Sequence, residues 1–217
     1  MSLLYAASMV TRKSTSDRRN EEQQAVSRRR LITWFMAAIM VSSIFGFILM
    51  NQTQSTANLD YNGFSIESSK VGYQVTLEKG KSLILINHPS SLENVVVEKP
   101  VWDLLARARV IGVTYNESDE RAEAFGAGQF LLERDLAVSP RIFVQRGLLN
   151  ASGTNLQSMS CNNATVDFPV LMIGVGDQTK AFVVAPSCVM IQGVVPVDTI
   201  RVVDRIILGL AGVMKRE

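Results

Sequence analysis

Hydrophobic and polar positions divide the 217 residues into four stretches. Residues 1–30 are polar after a short apolar start from Leu3 to Val10, and residues 31–50, LITWFMAAIMVSSIFGFILM, carry no charge at all. Residues 51–60 are polar again, and residues 61–217 alternate short apolar runs with turn residues. A helix rises about 1.5 Å per residue, so the uncharged run spans roughly 30 Å, the thickness of a bilayer's hydrocarbon core. The pattern predicts a transmembrane helix over 31–50, a polar stalk over 51–60 and an extracytoplasmic domain over 61–217.

Within that domain, Tyr61–Ser68 and Val71–Leu77 read as strands joined by a polar turn. The Lys79-Gly80-Lys81 turn leads into Ser82–Asn87, SLILIN, a third strand that His88-Pro89-Ser90-Ser91 breaks. Val95–Val97 and the β-branched Arg109–Tyr115 are further strands, with one or two helical turns at Val101–Ala108 between them. Ser118 is placed to cap a helix running to Leu136, with acids in its first turns and Phe125, Leu132 and Leu136 near one face. Gly126 and Gly128 fall inside this helix, where each costs about 1 kcal/mol relative to Ala, so close packing against a strand is expected there. Arg141–Gln145 reads as a strand and 147–160 as a loop. Pro169–Val175 and Lys180–Ala185 read as a hairpin turning at Gly176-Asp177. Val197–Met214 closes the chain as an amphipathic helix, and Asp198, Arg201, Asp204 and Arg205 argue against a second membrane span. The class expected is α+β, an antiparallel-rich sheet packed by two helices.

Charge sets the orientation. Seven of the 22 Lys/Arg but only three of the 20 Asp/Glu lie in residues 1–30, with Arg28, Arg29 and Arg30 directly before the uncharged run. No Lys or Arg follows until Lys70, so the positive-inside rule puts the basic tail in the cytoplasm and the C-terminal domain outside. A cleaved secretory signal would have an apolar core of about 7–15 residues and a small-residue cleavage site, which the exit Phe47–Gln52 does not offer. The tail cannot bury enough apolar surface to fold alone and suits contact with anionic headgroups. Ala38, Ser42 and Gly46 recur every four residues, the small-residue spacing that lets two membrane helices approach closely, so a protein partner or homo-oligomer through the span is expected. Beyond residue 30 the balance is 15 basic against 17 acidic residues, with no basic stripe, which leaves nucleic acid out as a partner.

Candidate chemistry is sparse. Two cysteines, Cys161 and Cys188, both lie on the predicted outer side, where an even count reads as a disulfide; closing that loop is worth roughly 3 kcal/mol. With His88 as the single histidine, zinc lacks ligands, and no cofactor motif is present: Gly126 and Gly128 are not part of a phosphate-cradling loop. No GxSxG elbow occurs, so any triad would have to use His88, and Glu133 and Asp135 beside Arg134 read as a solvated helix face. Sequons stand at Asn51, Asn116, Asn150 and Asn163. Asn51 sits too near the bilayer, Asn116 and Asn150 are candidate glycosylation acceptors in loops, and Asn163 is either an acceptor or a turn residue beside the disulfide.

The segments Ser160–Thr165, Phe168-Pro169-Val170, Ser187–Met190, the terminal Asp204-Arg205-Ile206 with Gly212-Val213-Met214, and the Tyr61–Phe64 start together resemble a group of uncharacterised archaeal single-span membrane proteins with a disulfide-containing external domain. The resemblance implies an archaeal membrane-anchored extracytoplasmic domain, favours the Cys161–Cys188 pairing and carries over no catalytic residue. The function expected is a membrane-anchored binding module or accessory subunit. The alternative is an extracytoplasmic enzyme, a hydrolase with an unrecognised site.

Overall fold

Apolar residues at every second position build the first sheet. In the computed structural model, which describes residues 33–43, 59–138 and 142–216, four antiparallel strands run in the order β1 (Leu59–Tyr61), β2 (Phe64–Ser69), β3 (Gly72–Thr76) and β4 (Ser82–Leu85). Ile66, Val75 and Leu83 stand opposite one another across three strands and are buried, whereas Glu67 and Gln74 pair on the other face. Leu59 and Asp60, expected at the end of the stalk, are already in β1. The first expected strand is in fact two, because Asn62 and Gly63 both take positive φ (+50° and +83°) and turn the chain back as a two-residue hairpin loop.

The second sheet holds seven strands: β5 (Val96–Val97), β6 (Val110–Tyr115), β7 (Phe143–Leu148), β8 (Gln157–Ser158), β9 (Val170–Val175), β10 (Lys180–Ala185) and β11 (Cys188–Gly193). Their order is β5-β10-β11-β9-β6-β7-β8, and every pairing is parallel except β10 with β11. The α+β class holds; the first sheet is wholly antiparallel, and the second is mixed, parallel apart from the β10–β11 pair. The expected β9–β10 hairpin is replaced by a β10–β11 hairpin. Pro186 and Ser187 (φ +68°) form its turn, and β11 slots between β9 and β10. The run Val189-Met190-Ile191 explains the preference: Val189 and Ile191 are fully buried and belong in the middle of the sheet.

Among the described residues the helices are α1 (33–43), α2 (Lys99–Leu105), α3 (Ala122–Leu136) and α4 (Pro196–Leu210). Helices α3 and α4 pack on each other and on one face of the larger sheet, α3 against β6, β7 and β9 and α4 against β9 and β11. The four-stranded sheet lies over α4 and the C-terminal end of α3, meeting Asp135 and Asp204 and joining the same core through Ile66, Val75 and Leu83, so α4 forms the middle of three layers. That position explains α4. Its residues are buried almost all round, Asp204 and Arg205 included, and the expected polar solvent face is missing. Helix α3 begins at Ala122, so Ser118 is not its cap. Instead Asn116 Oδ1 accepts from the Ser118 amide, and Asp119 accepts from the Arg121 amide and side chain just ahead of the helix. Gly126 lies against Tyr115 and Gly128 against Ile173 and Val203, the close packing their position called for.

A parallel-rich sheet needs both faces covered. The far face is covered by the segment between β7 and β9. Gly112 and Gly147 leave room there for Met159, whose Sδ would lie 2.4 Å from a Cβ at position 112. Contacts divide the chain into units 1–55 and 56–217. In the first, α1 is exposed throughout its described length, and Trp34, Phe35 and Met40 stand 78%, 67% and 71% open. Among the described residues no helix is long and apolar enough to cross a membrane, and the rest of the 31–50 run lies outside them.

Candidate functional site

The two cysteines form the disulfide the sequence called for, with Cα atoms 5.3 Å apart. Cys188 opens β11 on the far face of the large sheet and is fully buried. Cys161 begins a short 3₁₀ turn, Cys161–Asn163, in the covering segment. The bridge therefore staples that cover to the sheet, and the Thr114 hydroxyl donates to the Met159 carbonyl at 3.0 Å beside it. This is a structural cross-link with no second thiol nearby: among the described residues no cysteine is free.

Of the sequons, Asn116 and Asn150 come together. They follow the C-terminal ends of the neighbouring strands β6 and β7, the Leu149 amide donates to the Tyr115 carbonyl, and the Asn150 amide donates to Glu117. Both side chains are exposed. Asn163 is a turn residue: its Oδ1 accepts from the Ser160 amide at 2.9 Å and from the Ser160 hydroxyl at 3.2 Å, closing the turn that carries Cys161. Asn51 and Gly46 lie outside the described residues, while Ala38 and Ser42 are exposed on α1.

His88 ends up as a cap. Its Nδ1 sits 2.8 Å from Ser90 Oγ and accepts from the Ser90 amide, at the start of the 3₁₀ turn Pro89–Leu92. The ring packs edge-on against Tyr73, and Nε2 is buried without a hydrogen-bond partner. A nucleophile–base pair needs a third group to orient the imidazole, and among the described residues only Ser90 hydrogen-bonds to the ring. No group of three or more His, Cys, Asp or Glu side chains is arranged to hold a metal among the described residues.

Two buried carboxylates were missed by the sequence reading. Strand β4 is an edge, and its outward-facing backbone groups meet the helix layer rather than another strand. Asp135 of α3, expected to be solvated, is 3% exposed; it accepts from the Ile84 amide and pairs with Arg134, which donates to the Ile84 carbonyl. Asp204 of α4 accepts from the Ile86 amide at 3.2 Å, the Asn87 amide at 2.8 Å and the Asn87 side chain at 2.9 Å, all on Oδ2. The two acids pin the small sheet onto the helices and keep its edge from pairing with another chain. Burial raises the Asp204 pKa to about 6, against the pull of the Asn87 and Ile86 donors, and the Asp135 charge adds to the rise. The only sequence signal was an acid at an otherwise apolar helix position.

A cavity of about 470 Å³ opens beside this edge, at the C-terminal ends of α3 and α4. Its floor is Leu83, Leu136 and Ile207, all core residues, and Leu77 and Leu210 form its walls. Lys81 stands exposed at the rim, its Nζ donating to the Val138 carbonyl at 3.0 Å. The size matches small-molecule pockets, and the lining is mostly apolar, with one ammonium, Lys81, and two carboxylates, Glu78 and Asp135, the latter paired with Arg134. Known protein families, curated proteins and solved structures offer no match to this chain.

Proposed function

We propose that the chain is a single-pass membrane protein whose N-terminal tail is cytoplasmic and whose folded unit works outside the membrane as a binding module or accessory subunit. The observation that carries this reading is α1. Large apolar side chains stand open around a helix that lies inside an uncharged run of 20 residues, and such a helix is stable only in an apolar surrounding. The disulfide is at home in an oxidising compartment and supports an extracytoplasmic domain. The absence of an oriented nucleophile among the described residues favours binding over hydrolysis. Ala38, Ser42 and Gly46 supply the contact face for a second span, from a partner protein or another copy, and Asn116 and Asn150 supply the glycan acceptors.

Alkaline carbonate extraction of membranes from cells expressing the full chain tests the anchor. The protein stays in the pellet if 31–50 spans the bilayer. Release of the intact protein into the supernatant overturns the reading.

A further inference from the structure

We infer that the folded unit pairs with a second copy of itself through the open part of the large sheet's far face. The cover stapled by the disulfide reaches that face at Gly112, at Gly147 and at the start of β11. The helices packed on β10 and β11, α2 and α4, lie together on the other face, where Trp102 meets Gly209. Register then sets what stays open. Phe182, Met190 and Met172 stand in one row across β10, β11 and β9, all half-buried. Val96 of β5 is exposed at the edge beside them. A parallel-rich sheet rarely leaves such a face to water, and a contiguous apolar patch on a folded surface marks an interaction site.

The occupant follows from charge and shape. The next row on the same face holds Lys180, Gln192 and Gly174. Lys180 is the one charge in the two rows, and its Nζ lies 3.7 Å from Glu98 Oε1 and 4.7 Å from the centre of the Phe182 ring. A two-fold contact sets the patch against itself, so net charge there would repel its own copy. The Lys180–Glu98 pair cancels it, and a charged partner would find no free counter-ion. Bulk lies on β10, in Phe182 and Lys180. The hollow lies on β9, where a Cβ on Gly174 would meet nothing nearer than Met190 Sδ at 3.9 Å. A two-fold axis along β11 lays β10 of each copy over β9 of the other. Phe182 then covers Met172, Lys180 fills the space at Gly174, and Met190 meets Met190 of the second copy. Methionine side chains adapt readily to such a contact. Four strands about 4.8 Å apart and six residues rising about 3.3 Å each make a face of roughly 19 by 20 Å, the size of a weak dimer rather than an obligate one. The inference concerns the folded unit alone and does not rest on the anchor.

The test uses the full chain in detergent with single added cysteines, since the native pair is already bonded. Packed sheets lie about 10 Å apart, too far for a disulfide, so a short bismaleimide bridges them. Met190→Cys is expected to give a covalent dimer. Ala127→Cys, exposed on α3 on the opposite side of the sheet, is not. Adding Gly174→Trp to Met190→Cys fills the hollow and should cut the linked fraction about tenfold, a 1.4 kcal/mol change in pairing. A mixture of Phe182→Cys and Met172→Cys chains should link better than either alone. An unchanged circular-dichroism spectrum shows that each variant is folded. No dimer at position 190, equal linking at 190 and 127, or linking indifferent to Gly174→Trp overturns the inference. So does an adduct at position 190 in native membranes whose mass is not twice that of the chain, because the face then belongs to a different protein.

Discussion

Replacing Asp204 by Asn should change how stability depends on pH, raising the variant's stability relative to the parent as pH rises towards neutral. In the folded state the Asp204 carboxyl titrates at about 6, against about 3.9 in an unfolded chain. Between those values the folded protein binds a proton that the unfolded chain does not. The group therefore destabilises the fold progressively as pH rises from about 4 to about 6, and the cost is fully present above that. Two units correspond to roughly 3 kcal/mol, an upper figure for a residue with no exposed surface. The Asn amide keeps an oxygen for the Ile86 and Asn87 donors, while its NH₂ finds no acceptor where Asp204 Oδ1 has no partner, a cost that is the same at every pH and leaves the pH dependence of the difference unchanged. Urea unfolding of the full chain and of Asp204→Asn, in the same detergent from pH 4 to pH 7.5, isolates the effect because every other group titrates in both. The variant's advantage should grow with pH through the 4–6 window and then level off. A difference that stays flat over that range would refute the assignment of a buried, raised carboxyl. Asp204→Ala is the counterpart: leaving buried donors without an acceptor should cost about 2–4 kcal/mol at every pH.

Reducing the Cys161–Cys188 bridge, or replacing both cysteines by Ser, should lower unfolding stability by about 3 kcal/mol, read as a shift of the urea midpoint. Gly209→Ala should destabilise by about 1–3 kcal/mol, because its Cβ would lie 2.4 Å from Trp102 Cη2. Gly174→Ala, whose Cβ meets nothing nearer than Met190 Sδ at 3.9 Å, should stay within about 0.5 kcal/mol of the parent in the same thermal melts. In a host with N-linked glycosylation, Asn116→Gln and Asn150→Gln should each remove one mobility step on gels. Asn163→Gln should leave the mobility unchanged while lowering the thermal midpoint, since its oxygen closes the Ser160 turn.

The sequence was most legible where a local rule decided the outcome. The alternation in 64–85, the apolar face of α3 with Phe125 and Leu132, and the even cysteine pair all lead directly to what the structure contains. Two misreadings came from pairing, which is not local. β9 and β10 look like a hairpin from Gly176-Asp177, but the buried Val189 and Ile191 take the central place between them. Asn62-Gly63 was a strong turn signal, hidden because apolar residues flank it closely enough to read as one strand. The buried acids were out of reach for a different reason. Asp135 and Asp204 look like ordinary solvated charges until a second sheet is laid over the helices, and nothing in α3 or α4 alone announces that third layer.

The central claim is a membrane-anchored chain with its folded unit outside. Ser14→Cys in the tail and Gln178→Cys in the exposed turn before β10 can be compared, as separate full-length variants, for labelling of intact cells by a membrane-impermeant maleimide. The account predicts label on position 178 in intact cells and on position 14 only after permeabilisation. Label on both positions only after permeabilisation, or on position 14 alone in intact cells, would contradict it.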